Sequence, residues 1–407
     1  MHDWKTLLAV PRFRALWLAL VGADLGSWCV LAALPILVAE RYGAGGALVL
    51  SLTWRILPKI VLAPVSGALL RRFGAPRVTC IALVAEAGLT AWLPWCDDFV
   101  LLQVVIAGIG ALDVFTVPGL LSLRGDVTPA GLEMASNSLC SMADRIGKTA
   151  GPALGGLAVT LGFVPAFLGF AIVIAVAAIP VLALPRPALD APASHVTRLP
   201  GEFLRMLRND RVLVGLLGGA VCYLVMFGGL RPFLFWANRE WFGAADTAWT
   251  GLMAAQGAGA VIGALAAGTF NRSLLRRVSA YTLSMIAAIL EGLFHLALLL
   301  CPAGAAGAWV AMGILAMTGI PEVISTAAWF TAVQQRLSPE RQGLYFAFTS
   351  PMWDCAYAIG VTSAGLHAGG MLSLGPWWAI LSLTATLPVL PLLLLDTRRP
   401  EPPVHAV

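Results

Sequence analysis

Ionisable side chains stand deep inside stretches otherwise built mainly from Ala, Leu, Val, Gly and aromatic residues: Asp24, Arg55, Lys59, Glu86, Asp113, Asp144, Arg145, Lys148, Arg231, Glu291, His295, Glu322 and Asp354. A charge at the centre of a bilayer-spanning helix costs roughly 2.5–3.5 kcal/mol, so each must face a partner or a wet cavity. A carboxyl group so placed is suited to taking up and releasing a proton. A cation beside it competes with that proton for the carboxylate.

Asp113 and Glu322 lie near the middle of their stretches by residue count and are the first candidates for proton carriers, with Asp24 beside them. Glu322 follows Pro321, which removes a backbone donor and opens the helix next to the acid. The alternative is that each acid pairs with a base and only holds a bundle together. Arg55 and Lys59 are four apart, so they share one helix face and need anions opposite. Asp144, Arg145 and Lys148 fall together on another stretch, with Asp144 to Lys148 in the favourable acid-before-base order. An ion-pair network between these two stretches is one expectation. An anion-attracting wall or charge relay that meets a bound molecule is the other, and Arg55, Lys59, Arg145, Arg231 and Asp354 are its candidate binding or gating residues. Arg231, next to Pro232, also reads as an anchor near the outer surface. Glu86, and Glu291 with His295, are expected mainly to satisfy each other or seal against a neighbouring helix. A proton relay through Glu291 and His295 is the alternative.

These residues are carried by twelve apolar segments, each close to the 17–25 residues that cross a bilayer as helix. The spacing predicts spans over 13–39, 46–70, 77–95, 99–122, 135–161, 163–184, 212–237, 245–270, 278–300, 307–332, 344–368 and 374–395. With 59% apolar and 12% charged residues, 407 residues cannot coat a soluble domain. Outside the cations within the spans, Lys and Arg fall on the even connections and both tails, while the odd connections carry only Arg41 and Arg239. The positive-inside rule therefore puts both termini and the central loop in the cytoplasm, in a cell inner membrane. The first segment is too long for a cleaved leader and is expected to stay in the lipid.

The net charge of +5 is accounted for by that orientation, and no aromatic-interleaved basic face suggests nucleic acid. Seven scattered cysteines include no CxxC or Cys/His spacing, so neither a disulfide frame nor a metal site is expected. No nucleotide loop, G-x-S-x-G elbow or HExxH is present, which argues against an enzyme and against an ATP-driven pump, and no cofactor is implied. Trp28, Trp54, Trp329 and Trp353 are candidates for an aromatic binding surface, core and interface being the commoner places for Trp.

The longest polar stretch runs from Pro185 to Arg211, where Phe203, Leu204, Met206 and Leu207 predict a short amphipathic helix on the inner leaflet. It divides the chain into residues 1–184, a linker 185–211, and residues 212–407. The two halves look like copies. Val127-Thr128-Pro129 answers to Leu337-Ser338-Pro339 at an offset of 210, and the acids repeat at offsets of 205 (Glu86 and Glu291), 209 (Asp113 and Glu322) and 210 (Asp144 and Asp354). Duplicated six-helix halves about a midplane site are a mark of secondary transporters.

After the second span comes Gly67-Ala-Leu69-Leu-Arg71-Arg72-Phe-Gly74-Ala-Pro-Arg77, which resembles the G-x-L-x-D-R-x-G-x-x-R loop of the major facilitator superfamily. Gly147-x3-Gly151-Pro152-x2-Gly155-Gly156 is similar to its antiporter motif. Asn137-Ser138-Leu139 and Gln334…Pro339-Glu340-Arg341…Gly343 resemble its drug and siderophore exporter branch, which includes enterobactin exporters. The resemblance implies an all-α membrane fold of twelve helices in two pseudo-symmetric halves, with spans one, four, seven and ten lining a central cavity. One ionisable residue then stands in each: Asp24, Asp113, Arg231 and Glu322. It also implies proton-coupled export of a small amphipathic molecule by alternating access. Import or facilitated diffusion of a similar solute is the alternative, and a non-transporting receptor a third reading. Two departures stand out. Arg71 replaces the motif's Asp, which puts the usual cytoplasmic gate latch in question, and Ser138 replaces the first glycine of the antiporter motif. Expected partners are the transported molecule, protons and membrane lipid. The sequence leaves the oligomeric state open.

Overall fold

In a computed structural model, residues 2–129, 132–184, 199–275 and 278–393 are described. Among them every regular element is helical, and twelve long helices follow one another: α1 Pro11–Tyr42, α2 Gly46–Phe73, α3 Ala75–Trp92, α4 Phe99–Ser122, α5 Glu133–Val159, α6 Phe163–Val181, α7 Arg211–Glu240, α8 Trp249–Leu275, α9 Ala280–Ala297, α10 Ala305–Arg336, α11 Pro339–Ser363 and α12 Leu374–Thr386. Each coincides with an expected span, within a few residues at most ends and with α12 ending earlier. Nine of the helices are long and apolar enough to cross a membrane by length and composition alone. The other three are α5, α8 and α11. Of these, α5 carries Asp144, Arg145 and Lys148, and α11 carries Asp354.

Local chemistry sets the helix ends. Asp98 caps α4 by accepting from the Leu101 amide at 2.8 Å, Asp210 caps α7 from Val212 at 2.9 Å, and Ser279 caps α9 from Thr282 at 3.0 Å. Gly74, with φ at +84°, makes the sharp break between α2 and α3, a backbone geometry that glycine adopts without strain. Arg41, at the end of α1, donates to the Cys96 carbonyl at 2.9 Å and so fastens the α3–α4 connection.

The chain forms two compact units, Met1–Ala191 with Ala244–Gly257, and Pro192–Gly243 with Ala258–Val407. In the first, α1 packs on α5 and α6, α2 on α4, and α3 on α4 and α6. In the second, α7 packs on α11 and α12, and α9 on α10 and α12. The same partnerships therefore recur six helices later. The crossings run through glycines. Gly147, Gly151 and Gly155 of α5 lie against Asp24, Trp28 and Cys29 of α1, and Gly360 of α11 lies against Val225 of α7. Gly110 of α4 meets the Arg55 backbone of α2, and Gly259 and Gly263 of α8 meet Ala316 and Ile320 of α10. With no Cβ at the contact, backbones approach closely and dispersion replaces the hydrophobic drive that lipid cannot supply. Outward, α3 and α6 expose Ile81, Val84, Ile172, Val176 and Ile179, the apolar belt that lipid requires.

Between the sixth and seventh long helices, Leu199–Asn209 forms a short helix. It buries Phe203 and Met206 in a core with Leu213, Tyr281, Trp329 and Tyr345, and leaves Leu204 exposed. The polar linker before it lies outside the described residues.

Candidate functional site

In the first unit, one face of α2 presents Ser51, Arg55 and Lys59 at four-residue intervals, and α4 answers it. Gln103 donates to Ser51 at 2.8 Å. Asp113 takes Lys59 Nζ at 2.9 Å and Arg55 Nη2 at 3.6 Å on the same carboxylate oxygen. Arg55 also donates to Ser27 of α1 at 2.9 Å, which ties three helices to one guanidinium. The expected anion opposite Arg55 and Lys59 is thus on α4, and the anticipated pairing of α2 with α5 is not what forms. Asp144 instead pairs with Lys148 one turn along its own helix at 3.0 Å. Lys148 Nζ also lies 5.9 Å from the centre of the Trp28 ring.

Glu86 of α3 completes this cluster. It is 2% exposed and lies within electrostatic reach of Asp113, Arg55 and Lys59. Two carboxyl groups in one dry site repel when both are charged, and a proton on either relieves this. The sequence suggests for Glu86 only a seal against a neighbouring helix.

The second unit shows the counterpart. Glu291 of α9 and Glu322 of α10 line one cavity of about 160 Å³, walled by Tyr223, Trp329, Phe330 and Trp353. Glu291 does not satisfy His295 as expected. The His295 ring meets only the backbone carbonyl of Glu291, at 3.0 Å, and packs edge-on to Trp378. Pro321 lies one residue before Glu322 in a helix that runs on unbroken, so the Met317 carbonyl loses its usual donor beside the acid. Trp329 and Trp353 do meet in an aromatic surface, their ring centres 5.2 Å apart. Trp54 is exposed, and Trp28 serves the α1–α5 crossing.

The remaining candidates are dispersed. Asp24 is 8% exposed, against Gly147 in the α1–α5 contact, and shares an electrostatic neighbourhood with Asp144 and Lys148. Arg231 hydrogen-bonds the Tyr357 hydroxyl and lies over the Phe227 and Tyr357 rings, an arrangement that anchors α7 to α11. Asp354 is half-buried on α11, one turn before Tyr357. Arg145 is half-buried on α5 and makes no ion pair among the described residues. Of the loop motif, Gly67 lies in α2, Arg72 stands over the Phe73 ring, and Arg77 is exposed at the start of α3. The Arg71 side chain, and with it the question of the latch, lies outside the described residues. Pro152 sits inside α5 between the crossing glycines, and Gly156 lies against Thr250.

Residues 16–361 match the family model of the Major Facilitator Superfamily. The chain belongs to this superfamily. No curated protein matches it by sequence. Among solved structures, it is similar to the nucleoside transporter NupG, with 12% identity, a TM-score of 0.74, and 95% of this chain and 100% of that one covered. It is also similar to a peptide transporter POT crystallised with sulfate, with 13% identity, a TM-score of 0.74 and 94% of each chain covered. The human organic anion transporter MFSD10 gives 17% identity, a TM-score of 0.66, and 94% and 99% coverage. At these identities the likeness establishes the twelve-helix fold. Membership makes the chain a multi-pass secondary transporter of small molecules and not an enzyme.

Proposed function

We propose that this superfamily member is a proton-coupled antiporter that exports a small amphipathic molecule, a siderophore or drug-like compound, across the cell inner membrane with both termini in the cytoplasm. The observation that carries the reading is the Asp113 carboxylate, paired with Lys59 at 2.9 Å and Arg55 at 3.6 Å in the electrostatic neighbourhood of the buried Glu86 carboxyl. Such a group has two ways to be satisfied, by the cations or by a proton handed from Glu86. A conformational change that alters one satisfaction alters the other, and differential proton affinity between two states is what couples protons to movement. Glu322 and Asp24 are the further proton carriers in this scheme. Arg55, Lys59, Arg145, Arg231 and Asp354 contribute binding or gating.

The test is transport into inverted membrane vesicles with a pH gradient imposed and a panel of dyes and chelators offered. Accumulation that needs the gradient and is lost in Asp113→Asn supports the reading. Flux that survives collapse of the gradient makes the protein a facilitator, and gradient-driven movement in the opposite sense makes it an importer.

A further inference from the structure

A second cavity of the second unit, of about 520 Å³, lies where the short helix Leu199–Asn209 meets the start of α7, the end of α10 and the start of α11. Its described lining carries three guanidinium groups, Arg205, Arg336 and Arg341, and two carboxylates, Glu202 and Asp210. Asp210 is already engaged, accepting from the Val212 amide at 2.9 Å and pairing with Arg336 at 3.1 Å. Arg205 and Arg341 are exposed and make no ion pair among the described residues. Of the lining charges, Glu202 then stands against Arg205 and Arg341, which leaves an excess of positive charge facing the cavity. Arg208 and Arg211, also exposed, add two more cations on the adjoining stretch of chain.

A forked guanidinium matches the oxygens of a phosphate, and two of them from different helices enclose one better than either alone. A soluble phosphate compound would find the same cations. Three observations favour a lipid. The ends of spanning helices such as α7 and α10 lie at the level of the headgroups, so a lipid reaches the cavity without leaving its leaflet. The short helix buries Phe203 and Met206 in the protein and exposes Leu204 beside Arg205, an apolar residue next to a cation, as a helix lying in the interface does. The cavity also has an apolar side, lined by Met206, Leu213 and Leu337.

We propose that this cavity binds the phosphate of an acidic phospholipid, with Arg205 and Arg341 donating to its oxygens, Arg336 staying with Asp210, and the acyl chains passing Leu204 into the leaflet. Basic pockets at the ends of spanning helices take acidic headgroups in this way. The phosphate fastens the short helix that precedes α7 to the junction of α10 and α11. Lipid composition thereby sets how firmly the end of the linker is held. The proposal goes beyond the transport reading above and does not rest on it.

The experiment is native mass spectrometry of the purified full-length protein in an uncharged detergent. The probes are dioctanoyl-phosphatidylglycerol, dioctanoyl-phosphatidylcholine, whose ammonium offsets the phosphate, and glycerophosphoglycerol, the same headgroup without chains. Phosphatidylglycerol should bind, and the other two at least about tenfold more weakly. Arg205→Gln and Arg341→Gln should each weaken phosphatidylglycerol about tenfold, the worth of one charge-assisted hydrogen bond. Arg12→Gln with Arg14→Gln, which removes two exposed cations at the start of α1, should leave its binding unchanged. Should a variant fail to fold, the wild type answers: phosphatidylglycerol should shield Arg205 and Arg341 from phenylglyoxal, and phosphatidylcholine should not. Absence of binding and shielding, equal binding of phosphatidylcholine, or equal weakening by the α1 substitutions overturns the proposal. Equal binding of glycerophosphoglycerol overturns it in favour of a soluble phosphate compound.

Discussion

Asp113 and Lys59, from neighbouring helices, form an ion pair at 2.9 Å whose acid member is only 8% exposed while its basic member is 35% exposed. The pair is therefore asymmetric: the lysine is within reach of water, and the carboxylate depends on its partners.

That asymmetry sets the outcome of Asp113→Asn. Removing one partner of a buried pair costs about 3–5 kcal/mol, and Asp113→Asn leaves the buried Arg55 as well as the part-exposed Lys59 without its anion. Thermal unfolding of the purified protein should show the loss. The double variant Asp113→Asn with Lys59→Gln should regain part of the stability and none of the proton-driven flux.

Glu86→Gln separates structure from proton transfer. The amide keeps the volume and the ability to donate a hydrogen bond, but it has no carboxyl proton to give up. Stability should change by less than about 1 kcal/mol, the scale of one exchanged hydrogen bond. Gradient-driven flux should fall by about 10²-fold or more, the usual worth of a positioned acid or base, while substrate exchange without a gradient persists. Equal loss of both activities sinks the idea that Glu86 serves the proton.

The α1–α5 crossing makes a stability prediction. A Cβ at Gly155 would lie 2.8 Å from the Cys29 carbonyl oxygen, backbone that cannot step aside. Gly155→Val should cost about 1–3 kcal/mol, as overpacking does. At Gly313 of α10 an added Cβ meets nothing within 4 Å. Gly313→Ala should be neutral or stabilising by up to about 1 kcal/mol. Melting temperatures of the two variants measured side by side check the contrast.

Asp210 does two jobs. It caps α7 by accepting from Val212 at 2.9 Å and pairs with Arg336 at the end of α10 at 3.1 Å. Arg336→Ala removes only a partly exposed pair, worth up to about 1 kcal/mol. Asp210→Ala also removes the cap, about 1 kcal/mol more. The order of destabilisation in thermal unfolding should follow, with Asp210→Asn, which retains a capping oxygen, close to Arg336→Ala.

The twelve helices were legible because a bilayer imposes one length and one composition on every span, and an ionisable residue against that background is conspicuous. Partnership was less so. Arg55 and Lys59 needed anions, and the expected network ran to Asp144 on α5, whereas the fold supplies Asp113 on α4. Nothing within one helix says which neighbour it meets. The glycine that brings α4 onto the Arg55 backbone, Gly110, is one small residue among many. Glu86 and Glu291 were less legible, because one helix does not show which neighbour its acid faces. Only the fold shows that α3 and α9 each turn an acid toward the helix that follows. His295 misled by spacing: four residues from Glu291 is the right interval for a pair, but its ring turns to Trp378 and to the backbone.

The recurrence of helix partnerships six places along has a consequence for biogenesis. For α1 to α6, the principal neighbours of every helix lie within the first 181 residues. A nascent chain can therefore close its first bundle while the ribosome is still making α7, in keeping with units folding in the order they are synthesised. Ala244–Gly257, which belongs to that first unit, arrives later. There Thr250 settles against Gly156. Lesions in α1 to α6 should thus be sensed early by quality control, before most of the second bundle exists.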